Sequence, residues 1–158
     1  MSGKITTCLW FDTEGEEAAE FYCSLFPDSR VTDVARYPEG GPGPAGAVIT
    51  VSFELNGSAF VALNGGPGHP YTDAVSFQIE TDDQAETDRY WDALTDGGKE
   101  IQCGWLVDRY GVSWQVVPRE LPRLLADPDP GRATRAMQAM LQQKRIDIAA
   151  IREAADAG

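Results

Sequence analysis

Residues 5–29 read ITTCLWFDTEGEEAAEFYCSLFPDS and combine one strand pattern with one helix pattern. The first seven residues are mostly β-branched, aromatic or apolar, which favours a β-strand. Apolar side chains then recur with a helical period until Pro27 ends the helix. Thr13 and Glu16 have the spacing of a capping box, so we predict that the helix begins there. The apolar stripe of this helix consists of Ala18, Phe21, Tyr22, Leu25 and Phe26.

The second half of the chain repeats this layout. Residues 75–79 (VSFQI) form another strand pattern, and the helix pattern that follows carries Tyr90 and Trp91 where the first helix carries Phe21 and Tyr22. The order strand, helix, further strands therefore occurs twice in the chain. It predicts two βαβββ modules, in each of which the helix covers one face of the sheet. The further strands are predicted at about residues 30–37, 47–56, 58–64, 101–107 and 112–118.

We therefore expect an α+β fold in a single domain that is large enough to bury a core without disulfides. Module one is expected at about residues 1–66, module two at about 71–118 and a helical C-terminal extension at about 119–158. Asp129 and Pro130 form a start signal for a helix in the extension. A second helical segment is expected from about residue 146 to 155.

Acidic residues outnumber basic ones by 25 to 13, which gives a formal net charge of -12. A field of this sign repels phosphate backbones and anionic lipids, so we expect neither nucleic acid nor membrane as a partner. The first five residues lead directly into strand-like sequence without a signal peptide, and we expect a cytoplasmic protein. Cys8, Cys23 and Cys103 are odd in number and widely spaced, which predicts free thiols.

Alternation along the strands suggests a polar sheet face. In residues 75–79 the polar side chains of Ser76 and Gln78 point to one side, and the same reasoning groups Ser113 with Gln115. We predict a neutral, hydrogen-bonding cavity between the modules that binds a small molecule, although a solvated sheet face or a dimer interface is equally compatible with the pattern. The candidate ligand-binding residues are Thr7, Asn64, Ser76, Gln78, Cys103, Trp105, Ser113 and Gln115.

Seven motifs stand out along the chain: residues 7–12 (TCLWFD), 17–22 (EAAEFY), 25–29 (LFPDS), 63–67 (LNGGP), 103–105 (CGW), 110–118 (YGVSWQVVP) and 144–148 (KRIDI). Together they resemble the PhnB-like branch of the vicinal-oxygen-chelate (glyoxalase/bleomycin-resistance/dioxygenase) superfamily, a branch often labelled 3-demethylubiquinone-9 3-methyltransferase. The resemblance implies paired βαβββ modules and commonly a homodimer.

The resemblance also implies metal ligands, typically His, Glu or Gln, at equivalent inward positions of four strands. Of the residues at those positions only Gln115 is an acceptable ligand, so we expect no catalytic metal and no cofactor. The chain also lacks a glycine-rich turn after Phe11, which the usual S-adenosylmethionine fold would require. By strand register, the four positions are Thr7, Ala62 or Asn64, Ala74 or Ser76, and Gln115.

Two classes of function remain open from the sequence. One is metal-free binding of a neutral, partly aromatic small molecule, because six of the predicted cavity residues offer donors and acceptors but no group that titrates near neutral pH: Thr7, Asn64, Ser76, Gln78, Ser113 and Gln115. The other is an enzyme that uses acid–base or thiol chemistry, for which Cys103 is the candidate nucleophile. A methyltransferase is the third and weakest alternative. His69, the single histidine, is expected in an exposed turn between the modules.

Overall fold

The computed structural model describes residues 3–158, which divide into a compact unit ending at Pro70 and a second running from Tyr71 to Gly158. The first unit contains β1 (Thr7–Phe11), α1 (Gly15–Leu25), β2 (Arg30–Arg36), β3 (Val48–Leu55) and β4 (Ser58–Asn64). The second contains β5 (Phe77–Thr81), α2 (Gln84–Thr95), β6 (Lys99–Glu100), β7 (Trp105–Val107), β8 (Ser113–Pro118), α3 (Glu120–Leu125), α4 (Pro130–Leu141) and α5 (Ile148–Asp156).

Each unit has one four-stranded mixed sheet. The strand order is β1-β4-β3-β2 in the first and β5-β8-β7-β6 in the second. β1 pairs with β4, and β5 with β8, in parallel, whereas the other pairs are antiparallel. The predicted α+β fold of two βαβββ modules is therefore confirmed.

In the first unit, α1 covers one face of the sheet. Gly15 of this helix lies so close to Ala62 that an added Cβ would stand 3.3 Å from the Ala62 side chain. Ala62 is in register with Leu9 on β1 and with Val51 on β3, and all three are at most 5% exposed. Leu9, Val51 and Ala62 therefore mark the helix-covered face, where apolar burial stabilises the unit.

In the second unit, α2 covers the corresponding face. The Thr81 and Thr87 hydroxyl groups are hydrogen bonded at 2.6 Å and are fully buried. The indole N–H of Trp91 donates to Glu100 Oε1 at 3.2 Å. These bonds tie α2 to both β5 and β6, so that Thr81 and Glu100 mark the helix-covered face of this sheet.

The C-terminal extension belongs to the second unit and brings its own apolar core. Asp129 accepts a hydrogen bond from the Gly131 N–H at 2.9 Å and caps α4, which confirms the predicted start signal. The short helix α3 was not predicted. The core consists of Val117, Leu121, Leu124, Ala136, Ile146, Ile148, Ile151 and Ala155.

Two local predictions are wrong. The predicted capping box is absent from α1: its N-cap residue is Glu14, which makes no side-chain cap, and Asn64 from β4 accepts the Gly15 N–H instead. Of the strand predicted at residues 101–107 only β7 (Trp105–Val107) forms, because Cys103 and Gly104 adopt φ angles of 59° and 84° in a tight turn. That left-handed conformation is incompatible with extended pairing. The short strand β6 lies before the predicted range.

Candidate functional site

A row of polar and aromatic side chains crosses the second sheet on the face opposite α2. Gln78 on β5 is in register with Gln115 on β8, and Gln115 is in register with Trp105 on β7. Register partners on adjacent strands project to the same side with Cβ atoms roughly 5 Å apart. We call Gln78, Gln115 and Trp105 the polar row.

Two serines border the polar row. The Gln115 side-chain N–H donates to Ser76 Oγ at 2.9 Å, which orients the carboxamide. Ser113 is in register with Val107 on the same face and is only 3% exposed. The structure therefore brings five of the eight candidate ligand-binding residues together on this side of the second sheet: Ser76, Gln78, Trp105, Ser113 and Gln115.

Charged groups lie beside the polar row rather than in it. Glu80 follows Gln78 on the same face of β5, but its carboxylate is ion paired with Arg119, which also binds Asp82 at 2.9 Å. Lys99 stands on the edge strand β6 in register with Val107. The row itself carries only neutral donors and acceptors.

Thr7 and Asn64 lie on the face of the first sheet that α1 covers. This corrects the prediction that both residues line a polar cavity. Thr7 is in register with buried Phe60 and shares the helix-covered face with Leu9. Asn64 Oδ1 accepts the Gly15 N–H at 2.8 Å, and its Nδ2 donates to the Val48 carbonyl at 3.3 Å. Alternation failed here because β1 is apolar on both faces, so the pattern does not reveal which face the helix covers.

The face of the first sheet opposite α1 carries Cys8 and Trp10, which sequence reasoning had not selected. The indole N–H of Trp10 donates to the Gly66 carbonyl at 2.9 Å, and the His69 ring lies 4.2 Å from the Trp10 ring between centroids. An added Cβ on Gly65 would stand 2.3 Å from the Trp10 ring. This contact with the Trp10 ring explains why residue 65 is a glycine.

Cys103 is not a member of the polar row. Its backbone is left-handed at φ 59°, and its thiol donates to the Met140 carbonyl oxygen at 3.7 Å rather than to a base. Cys8, Cys23 and Cys103 are all free, as predicted. Partial burial, reinforced by the negative charge of Glu20, raises the pKa of the Cys23 thiol above its ordinary value, so that this thiol is less reactive.

The side chains within each unit do not match the superfamily's metal ligands. Within residues 3–158 no three or more His, Cys, Asp or Glu side chains are grouped so that they could hold a metal ion. On the polar row the oxygen donors are carboxamides and a neighbouring hydroxyl, and Glu80 is already paired with Arg119. Such neutral donors are a poor substitute for the His and Glu ligands that a catalytic metal requires.

Comparison with known proteins identifies the relatives of this chain. The family model for 3-demethylubiquinone-9 3-methyltransferase matches residues 3–117. No curated protein matches the sequence.

Three solved structures illustrate the similarity. The PhnB protein from Bacillus cereus, which carries the same methyltransferase description, is 37% identical, with a TM-score of 0.67 over 73% of this chain and 99% of its own. A protein from Pseudomonas aeruginosa is 23% identical, with a TM-score of 0.61 over 74% of this chain and 98% of its own. A glyoxalase/bleomycin resistance protein from Albidiferax ferrireducens T118 is 12% identical, with a TM-score of 0.47 over 75% and 98%.

The match to the family model covers most of the chain, and the identity to the Bacillus cereus protein extends over nearly all of that protein. The chain belongs to the 3-demethylubiquinone-9 3-methyltransferase (PhnB-like) family.

Proposed function

We propose that this protein binds a neutral, partly aromatic small molecule on the polar row of the second sheet, without a catalytic metal. The observation that carries the proposal is the side-by-side register of Gln78, Gln115 and Trp105 on three adjacent strands. Each carboxamide offers a donor and an acceptor, and the indole offers a flat apolar surface. A planar ligand with an amide group complements both features.

Binding is favoured over catalysis by the chemistry of these side chains. General acid–base catalysis works best with a group that titrates near the operating pH, and neither carboxamides nor an indole do so. The buried Ser113 and the bond from Gln115 to Ser76 favour a pre-oriented recognition surface.

The reaction in the family's name calls for a different architecture. The usual S-adenosylmethionine enzymes bind the cofactor at the switch point of a doubly wound parallel sheet. Across residues 3–158 the two sheets are mixed, with one parallel strand pair in each. This topology does not fit such a cofactor site, and methyl transfer is not the function that we propose.

Benzamide is a suitable probe because it combines a planar ring with a neutral primary amide. We expect it to bind the full-length protein with a Kd on the order of 1 mM, which is typical of a fragment of this size, and to shift the side-chain NH₂ resonances of Gln78 and Gln115. Gln78→Ala removes one donor and one acceptor and should weaken binding by roughly fivefold. Two-dimensional NMR titration measures both effects, with Gln138→Ala on the exposed face of α4 as the control.

Two outcomes would contradict this proposal. If benzamide leaves the Gln78 and Gln115 resonances unchanged, the polar row is not a binding site for this class of molecule. If benzoate binds more tightly than benzamide, the positive charge of Lys99 dominates recognition and the neutral-ligand assignment is wrong.

We also propose that the protein acts as a homodimer. Met137 and Leu141 are 46% and 52% exposed and lie one turn apart on α4, as expected of a surface that a second copy covers. Light scattering should give twice the chain mass of 17.2 kDa, and a monomeric mass would contradict the dimer.

We propose the cytoplasm as the site of action, because the three free thiols are typical of a reducing compartment. None of the helices in the described part of the chain combines the length and apolar character of a membrane span.

A further inference from the structure

A second row of side chains lies beside the polar row on the same face of the second sheet. Ser113 on β8 and Lys99 on β6 are both in register with Val107 on β7. Ser113 stands two residues before Gln115, and side chains two residues apart in a strand project to the same face. We call Ser113, Val107 and Lys99 the serine row. It runs parallel to the polar row at a distance of about 7 Å, the rise of two residues in a strand.

The Ser113 side chain is buried, but its hydroxyl group is not bonded to the protein. Ser113 is 3% exposed. Within residues 3–158 its Oγ takes part in no hydrogen bond, whereas none of the fully enclosed side-chain N and O atoms in that range lacks a partner. The Ser113 oxygen is therefore not fully enclosed, and the small exposed part of the residue includes it. The hydroxyl group thus opens onto the face that carries the polar row.

The polar side chains next to Ser113 in the sheet are bonded to other groups. Gln115 Nε2 donates to Ser76 Oγ at 2.9 Å, and the Trp114 indole N–H donates to Asp108 Oδ2 at 2.8 Å. A hydroxyl group that is largely removed from water without a hydrogen bond costs free energy, and an alanine at position 113 would avoid that cost. A partner supplied from outside the chain would satisfy the Ser113 hydroxyl group.

Apolar surface connects the two rows. Trp105 in the polar row and Val107 in the serine row are both partly buried and lie two residues apart on the same face of β7. A flat ring that lies along the strands against this surface directs one substituent toward Gln115 and the opposite substituent toward Ser113. The spacing of the two rows is close to the distance between para substituents of a benzene ring.

We propose that Ser113 is a specificity-determining residue of the polar row, and that the ligand is a planar aromatic amide with a hydroxyl group para to the amide. This assignment rests on the proposed function and extends it, because the polar row alone selects only the amide and the ring. A serine hydroxyl group both donates and accepts, so it pairs with a ligand hydroxyl group in either direction. Lys99 stands two strands away from Ser113, at about 10 Å, and a neutral hydroxyl group does not require its charge.

Titrations of the full-length protein with benzamide and para-hydroxybenzamide test this assignment. Para-hydroxybenzamide should bind the wild type roughly fivefold more tightly than benzamide, which is the gain expected from one additional neutral hydrogen bond. Para-methylbenzamide has a para group of similar size without a polar atom and should not reproduce this gain. The side-chain NH₂ resonances of Gln78 and Gln115 report all three titrations at slightly acidic pH, where the phenol is neutral.

Ser113→Ala removes the hydroxyl group and should bring the ratio of the two dissociation constants from roughly five to about one. Ser76→Ala is the matched control, because it removes a hydroxyl group that orients Gln115. It should weaken both compounds alike and leave their ratio unchanged. Since the Ser113 hydroxyl group makes no bond within the protein, Ser113→Ala should not lower the urea midpoint of unfolding.

The outcomes separate this assignment from the proposed function. If benzamide binds but para-hydroxybenzamide gains nothing, or if Ser113→Ala retains the gain, Ser113 does not determine specificity, although the polar row remains supported. If para-carbamoylbenzoate binds more tightly than para-hydroxybenzamide, Lys99 recognises the para group and the hydroxyl assignment is wrong. A lower urea midpoint for Ser113→Ala would show that the hydroxyl group is bonded within the protein, which also overturns the assignment. If neither benzamide nor para-hydroxybenzamide binds, the proposed function and the assignment both fail.

Discussion

Replacement of Asp108 by alanine should destabilise the protein by about 3–5 kcal/mol, the largest effect expected for a polar residue of the second unit. Asp108 is 3% exposed and its carboxylate holds three donors. Oδ1 accepts the N–H groups of Tyr110 and Val112 at 2.8 and 3.0 Å, and Oδ2 accepts the Trp114 indole N–H at 2.8 Å. Alanine leaves these donors without their acceptor in a site that water enters poorly.

Urea unfolding monitored by circular dichroism measures this loss, and Asp108→Asn is the matched control. Asparagine retains one oxygen for the Tyr110 and Val112 N–H groups but turns an amide donor toward the Trp114 indole, so we expect about half the loss. A loss below about 1 kcal/mol for Asp108→Ala would show that the turn satisfies its donors in another way. The bond to the Trp114 indole also links the turn at Asp108 to β8.

Truncation of Ile146 to alanine should cost about 3–4 kcal/mol, because it removes a fully buried side chain and leaves a cavity. Ile146 belongs to the apolar core of the extension together with Val117 and Ile151. It also fills the space left by Gly104, so that loss of its branched side chain weakens packing on both the module and the extension.

The same unfolding experiment provides two reference points for Ile146. Ile146→Val removes one methylene and should cost about 1 kcal/mol. Ile5→Ala, at a position that is 89% exposed, should change the free energy of unfolding by less than about 0.5 kcal/mol. If Ile146→Ala proved as mild as Ile5→Ala, the extension would not be packed against the module in solution.

Much of the fold was predictable because its signals are local. The bounds of β2, β3, β4 and β8 agree with the predicted strands to within about one residue at each end, and α4 begins after the predicted Asp129 cap. The predicted strand at 75–79 begins two residues later in the structure, where β5 starts at Phe77. The repetition of one pattern was sufficient to predict two modules of the same topology.

The polar row was predictable only where alternation is unambiguous. In β5 and β8, Gln78 and Gln115 alternate with buried Ile79 and Val116, so polarity reveals the face. In β1, both Leu9 and Trp10 are apolar, and the pattern does not distinguish the face under α1 from the other face. For this reason Thr7 and Asn64 were placed on the wrong face, and Trp10 was overlooked.

By itself, the amino-acid sequence determined the family, the two βαβββ modules and most element boundaries, because periodicity and turn chemistry act over a few neighbouring residues. Only the tertiary structure decided that Asn64 caps α1 across 49 residues, and that Gln84 binds the backbone of Ile146 across 62. Such bonds depend on which surfaces meet after the chain has folded. Short-range sequence patterns do not encode these long-range contacts. A glutamine at the first position of a helix has the same local sequence pattern whether its side chain faces water or binds another segment of the chain.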